Sequence, residues 1–326
     1  MIDIHSIFNS NTPSDFEKLA MQVFSFQFKN NKIYRSFCDL LHKHPCDVKT
    51  IQDIPFLPIN FFKTHQILSS KKTIKTTFTS SGTTGLNTSK HYITDLDIYK
   101  KSFNTGFKTF YGAIEDYTVL ALLPSYLERE GSSLIYMTKH LIDASKKPKS
   151  GFYLNNLSEL KDILITLDTK NEKTLLIGVS FALLDLIDAH KFKLKNTIIM
   201  ETGGMKGRRQ ELIRAELHEK LKKGFGVNRI HSEYGMTELL SQAYSKGEGI
   251  FNCPPWMKVL TRETEDALSI QNYGKTGGIN IIDLANINSC AFIATQDLGR
   301  VNPDGSFEII GRFDNSDIRG CNLMVI

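Results

Sequence analysis

The feature that most constrains this chain is an alternation of two periodicities. Between residues 76 and 226, short apolar runs with strand character at 118–123, 174–179 and 197–200 are separated by longer stretches with helical spacing. Strands that are apolar on both sides need cover on both faces, and strand–helix repeats supply it through parallel pairing. The pattern predicts an α/β fold of stacked, mixed or parallel sheets with flanking helices. Upstream, helix-like stretches at 16–28 and 33–44 precede a segment punctuated by Pro45, Pro55 and Pro58, which reads as a helical lead-in. Downstream, β-like runs at 278–282, 290–295 and 306–310 have Asn, Gly and Asp between them, as in a small β-rich subdomain. The expected division is 1–75 helical lead-in, 76–250 α/β core, and 251–326 β-rich subdomain with a C-terminal stub.

Composition narrows the function classes. With 326 residues, 41% hydrophobic and 23% charged, the chain can bury a sizeable core and is no disordered segment. Its net charge of +5 is spread along the sequence, which argues against nucleic acid as a partner. Five cysteines, at 38, 46, 253, 290 and 321, form no CxxC pair, so a reducing, cytoplasmic setting is expected. No basic-then-apolar leader opens the sequence, and the most apolar window, 174–184, falls short of the ~20 residues a bilayer needs. No membrane span is expected.

Three segments carry chemistry. The first is Ser80-Ser81-Gly82-Thr83-Thr84-Gly85, followed by Lys90 and His91. Small hydroxyl residues between glycines let backbone N–H groups and Oγ atoms wrap a phosphate chain, although an ordinary surface turn has the same composition. The second is His231-Ser232-Glu233-Tyr234-Gly235-Met236-Thr237-Glu238, in which Glu238 is a carboxylate suited to Mg²⁺ shared with phosphate oxygens. The third places Asp297, able to accept two ribose hydroxyls, upstream of Gly311-Arg312-Phe313-Asp314, where Arg312 suits a phosphate or the same sugar. Each charge alone is more often a solvated or capping group.

In this order the segments resemble the adenylate-forming superfamily of acyl-CoA synthetases, peptide-synthetase adenylation domains and luciferases. Residues 80–85 are similar to its phosphate loop, Tyr234-Gly-Met-Thr-Glu238 to its Tyr-Gly-x-Thr-Glu motif, Asp297 to its ribose-binding aspartate and 311–314 to its hinge. Within it, Leu123-Pro-Ser-Tyr-Leu-Glu-Arg129, Gly203-Gly204-Met205-Lys206-Gly207 and Arg319-Gly320-Cys321 resemble the LuxE-type acyl-protein synthetases. The likeness covers residues from about 76 to the end and leaves the lead-in uncovered.

The resemblance implies a large adenylate-forming domain of the N-terminal type with its mobile C-terminal domain truncated, since the usual lysine of that domain has no counterpart after Asp314. It implies ATP and Mg²⁺, activation of a fatty or aromatic carboxylic acid as the adenylate, and transfer to a protein cysteine, Cys321. An acyl-protein reductase or acyl carrier is the implied partner. Glu238, Lys90 and His91 join Cys321 as the catalytic set. The nucleotide is assigned to residues 80–85 (Ser80, Ser81, Gly82, Thr83, Thr84, Gly85), to Gly203, Gly204 and Lys206, to His231, Tyr234, Gly235 and Thr237, and to Asp297 and Arg312. Alternatives are a phenylacetate-type CoA ligase and a non-catalytic acyl-carrying subunit on the same fold.

Overall fold

The computed structural model describes residues 2–10, 12–80, 88–123, 131–203 and 212–313. Three helices open the chain: α1 (Ile4–Phe8), α2 (Pro13–Asn30) and α3 (Lys32–Leu40). Thr12 starts α2, its Oγ1 accepting from Asp15 N at 3.1 Å with Pro13 in the first turn, where a missing N–H costs nothing. Asn31 ends α2 and caps α3, its Oδ1 accepting from Tyr34 N at 3.1 Å. The buried stripe of α2 is Phe16, Leu19, Ala20, Val23, Phe24 and Gln27. Gln27 is the polar member, and its amide is matched far down the chain: Nε2 donates to the carbonyls of Asn286 and Ile287 at 2.9 and 3.0 Å, and Oε1 accepts from Ala291 N at 2.9 Å.

Next come β1 (Leu57–Pro58), α4 (Phe61–Thr64) and the antiparallel hairpin β2 (Thr76–Thr79) and β3 (Lys90–Ile93). The alternating region then reads α5 (Leu96–Tyr111), β4 (Thr118–Leu122), α6 (Ser133–Ser145), β5 (Gly151–Phe152), α7 (Leu157–Thr169), β6 (Thr174–Val179), α8 (Ser180–Ala189), β7 (Thr197–Thr202), α9 (Arg214–Phe225) and β8 (His231–Tyr234). Every residue of β4 and β6 is buried, the mark of strands covered on both faces. The rest is β9 (Ala243–Ser245), β10 (Ile250–Asn252), β11 (Met257–Arg262), β12 (Thr276–Asp283), β13 (Phe292–Val301) and β14 (Phe307–Arg312).

Apart from the hairpin, the strands form one 12-stranded sheet, ordered β11-β12-β13-β14-β10-β9-β8-β7-β6-β4-β5 with β1 beside β13. From β5 to β8 the pairing is parallel, and from β8 outward it is antiparallel. The strands beyond residue 251 therefore continue the sheet of the alternating region, and β1 ties the lead-in to it. This is the mixed α/β architecture expected, with the parallel strands delivering their C-terminal ends to one edge, where open α/β sheets bind ligands. Among the described residues no helix is long and apolar enough to cross a membrane.

Candidate active site

The hairpin brings its two ends together on either side of residues 81–87. Ser80 N donates to Ser89 O at 3.1 Å and Ser89 N to Ser80 Oγ at 2.9 Å. Thr79 N reaches Gly131 O at 2.7 Å, so the segment following β4 meets the hairpin there. Ser81, Gly82, Thr83, Thr84 and Gly85 themselves lie outside the described residues. Alternation along β3 turns Lys90 outward to an exposed position and His91 inward, where it is 1% exposed. His91 Nδ1 lies 2.8 Å from the carbonyl of Thr237, 146 residues away. A carbonyl can only accept, so Nδ1 carries the proton and Nε2 is bare, buried and without a partner among the described residues. Burial pushes its pKa down to about 4, and the ring stays neutral.

The turn after β8 holds the second motif. Gly235 is needed there for space, because a Cβ would sit 2.5 Å from Glu233 Oε1. Glu238 is buried, its carbonyl accepts from Asn286 Nδ2 at 2.8 Å, and Leu240 and Ser241 beyond it are bound to Asp283 at the end of β12. Burial raises the Glu238 pKa, while the Ser89 hydroxyl and the positive charges of Arg312 and Lys63 pull the other way. Lys63 belongs to α4 in the lead-in, which carries no motif that would have singled it out.

The third motif closes the same site. Asp297 and Arg312 are register partners on β13 and β14, with Nε 3.1 Å from Oδ1. On the other oxygen, Oδ2, Asp297 accepts from the Tyr234 hydroxyl at 2.7 Å. Burial first, and the neighbouring Asp297 carboxylate second, raise the Tyr234 pKa, so the hydroxyl remains the donor. A carboxylate has about four acceptor positions, which leaves Asp297 able to receive a sugar hydroxyl as well.

Around this centre, Gly203 at the end of β7 adopts a left-handed conformation, φ +68, with its carbonyl held by Ser180 Oγ at 2.7 Å. Gly204 and Lys206 lie outside the described residues. His231 faces α5, its Nδ1 3.2 Å from the Tyr111 hydroxyl, and burial with nearby Arg229 and Lys246 lowers its pKa to about 4. Glu233, to which the sequence gives no role of its own, is buried beside it and bonded to the Thr202 hydroxyl. Cys321 is outside the described residues. Of the described cysteines, burial raises the thiol pKa of Cys38, Cys253 and Cys290, which opposes a nucleophilic role, and exposed Cys46 lies in the lead-in.

The donor set fits a nucleotide with Mg²⁺. Among the described residues no three metal-ligating groups converge, yet Mg²⁺ is held by one or two carboxylates together with substrate phosphates. Glu238, buried without an ion-pair partner among the described residues, is a carboxylate of that kind.

Comparisons with known proteins bear on the fold and on what the chain is similar to. A family model described as acyl-protein synthetase, LuxE, matches residues 9–102, so the likeness extends into the lead-in that the motifs left uncovered. A Vibrio harveyi protein named long-chain-fatty-acid–luciferin-component ligase is 23% identical over 345 residues, 94% of this chain and 86% of that protein. A Photorhabdus luminescens protein of the same name is 38% identical over 71 residues, 22% of this chain and 60% of that one. Among solved structures, ATP-bound MatB from Rhodopseudomonas palustris superposes with a TM-score of 0.55 at 16% identity over 73% of this chain. The chain spans about half of MatB, 48%. An open form of 2-hydroxyisobutyryl-CoA ligase gives 0.65 at 13% identity, over 93% of this chain and 70% of the ligase. The fold is that of adenylate-forming ligases, and the resemblance to LuxE-type acyl-protein synthetases holds.

Proposed function

We propose that this protein activates a carboxylic acid with ATP, forming the acyl-adenylate and pyrophosphate, and then passes the acyl group to a thiol. One observation carries the reading: motifs far apart in sequence are bonded to one another at one edge of the sheet, His91 to Thr237, and Tyr234 with Arg312 to Asp297. The relatives' names point to long-chain fatty acids as one substrate class.

In this reading ATP lies with its ribose at Asp297 and its phosphates between Ser80 and Glu238. Attack of a carboxylate on the α-phosphorus needs charge neutralisation and alignment more than a strong base. When bound, Mg²⁺ would neutralise phosphate charge beside Glu238. Arg312 and Lys63 add positive potential at the same place, and Ser80 and Ser89 hold the two ends of the phosphate loop. His91, neutral and buried, positions Thr237 and hence Glu238, and takes no proton from the acid. Lys90, on the exposed side of the hairpin, is assigned a weaker role as a cation near the entering phosphates. In the second step a thiolate attacks the mixed anhydride carbonyl and adenosine monophosphate leaves. Cys321 is the proposed acceptor, and a reductase or carrier would take the acyl group from it.

Exchange of labelled pyrophosphate into ATP, dependent on an added acid, tests the first step. Exchange absent with every acid defeats the proposal. Labelled acid tests the second: Cys321→Ser should keep exchange and lose hydroxylamine-labile acylation of the protein, and acylation surviving in that variant reassigns the acceptor.

A further inference from the structure

The face of β8 opposite Tyr234 is polar in a way that adenylation itself does not use. His231 and Glu233 alternate with Ser232 and Tyr234, so they point away from Asp297 and toward α5. Thr202, Glu233 and Tyr244 stand side by side across β7, β8 and β9. Thr202 Oγ1 donates to Glu233 Oε2, and Glu233 Oε1 lies against Gly235. Gln242 comes to the same glycine, its Cγ 3.4 Å from where a Cβ would sit, and its Oε1 is buried with no hydrogen-bond partner among the described residues.

Among the described residues the Gln242 carbonyl oxygen has no hydrogen-bond partner, and Glu233 has a hydrogen bond from Thr202 but no cation. A buried carboxylate is ordinarily matched by a cation, and a buried amide by a hydrogen bond. No described cation forms an ion pair with Glu233, and burial, followed by the like charge of Glu201 on the neighbouring strand, raises its pKa to about 7. Gly235 joins Tyr234, at the nucleotide, to the turn of Glu238. A substituent reaching Glu233 and Gln242 therefore belongs to a molecule whose carboxyl lies close to the phosphates.

We propose that Glu233 and Gln242 form a specificity subsite that receives a hydroxyl or amino group carried by the acid close to its carboxyl. This rests on the acid-activation reading above and narrows its substrate. A plain alkyl chain, entering instead, would leave the carboxylate and the amide unpaired, the situation in which polar sites discriminate most strongly.

The test is pyrophosphate exchange by the full chain with an alkanoate and its hydroxy and amino derivatives of equal chain length. A substituted acid should exceed the alkanoate in kcat/KM by about a hundredfold or more. If the amino acid leads, Glu233→Gln should lower its kcat/KM while sparing the hydroxy acid. If the hydroxy acid leads, Gln242→Leu should erase its advantage. An alkanoate used as well as its derivatives overturns the subsite and leaves acid activation standing, whereas exchange with no acid overturns both. Variants that melt like the parent and keep the parent's selectivity also overturn it, and should Glu233→Gln not fold, the parent's own selectivity decides.

Discussion

The turn that carries Glu238 is held from two sides, and the two holds are built differently. On the sheet side Asp283 is fully buried and accepts from the backbone N–H groups of Leu240 at 2.8 Å, Ser241 at 3.0 Å and Ala285 at 3.1 Å, and from the Ser241 hydroxyl at 2.5 Å. On the hairpin side one imidazole N–H of His91 meets the Thr237 carbonyl. A net hydrogen bond contributes about 1 kcal/mol, whereas orphaning several buried donors costs far more. The sheet thus sets where the turn lies, and the hairpin adds a single side-chain contact at small energetic cost. Stability and nucleotide chemistry should separate along this line.

Breaking the stronger hold gives the largest effect. Asp283→Ala leaves three backbone donors without their acceptor, and urea denaturation should show a loss on the order of 4 kcal/mol. A midpoint within error of the parent would mean that the clamp is not what places the turn.

The hairpin hold should instead reveal itself through pH. The pKa of His91 falls from 6.5 to about 4 on burial. Its folded value lies below the unfolded one, so its contribution to stability is present above about pH 6.5 and lost as the pH falls through about 4. The loss is at most about 3 kcal/mol over that window. Gln can still donate to Thr237 but does not titrate, so the stability of His91→Gln should decline less toward acid. His231 shifts in the same direction, and the acid decline should shrink without vanishing. Parallel curves for parent and variant from neutral pH to pH 4 would contradict the assigned protonation.

Glu238→Gln separates chemistry from scaffold most cleanly. It keeps the backbone contact to Asn286 and removes a buried negative charge. Pyrophosphate exchange should fall about a hundredfold, because Mg²⁺ prefers anionic oxygen, while the melting temperature holds or rises. An unchanged rate at limiting Mg²⁺ would exclude Glu238 as the metal-side carboxylate.

The same division explains what the sequence could show. Strands β4, β6 and β7 were legible because an apolar run bounded by helical spacing is a local signal, and 174–179 matches β6 residue for residue. Tyr234, Glu238, Asp297 and Arg312 were legible as residue types in a known order. Their mutual contacts were not, since Tyr234 and Asp297 are 63 residues apart and nothing local records that they touch. The role of the lead-in is hidden in the sequence for the same reason: Gln27 and Asn31 look like ordinary helix polar residues until Asn286, Ile287, Ala291 and Ser289 come to meet them. His91 was placed in the site on resemblance, but its work as a latch on Thr237 appears only in three dimensions.

The smallest effect should come from a contact that belongs to both halves of the comparison. The Tyr234 ring packs against Phe251 and Phe307, with centroids 5.9 and 5.6 Å away, while its hydroxyl orients Asp297. Tyr234→Phe keeps the ring and deletes only the hydroxyl. Arg312 still grips Asp297 through Oδ1, but that side chain is 71% exposed, and an exposed ion pair fixes a geometry weakly. Asp297 should therefore lose orientation without leaving the site. Calorimetry should find ATP bound about threefold to tenfold more weakly, the value of one neutral hydrogen bond, with pyrophosphate binding unchanged because the loss falls at the ribose end. Equal weakening of both ligands would place Tyr234 and Asp297 at the phosphates, and an unchanged ATP affinity would make their hydrogen bond part of the scaffold alone.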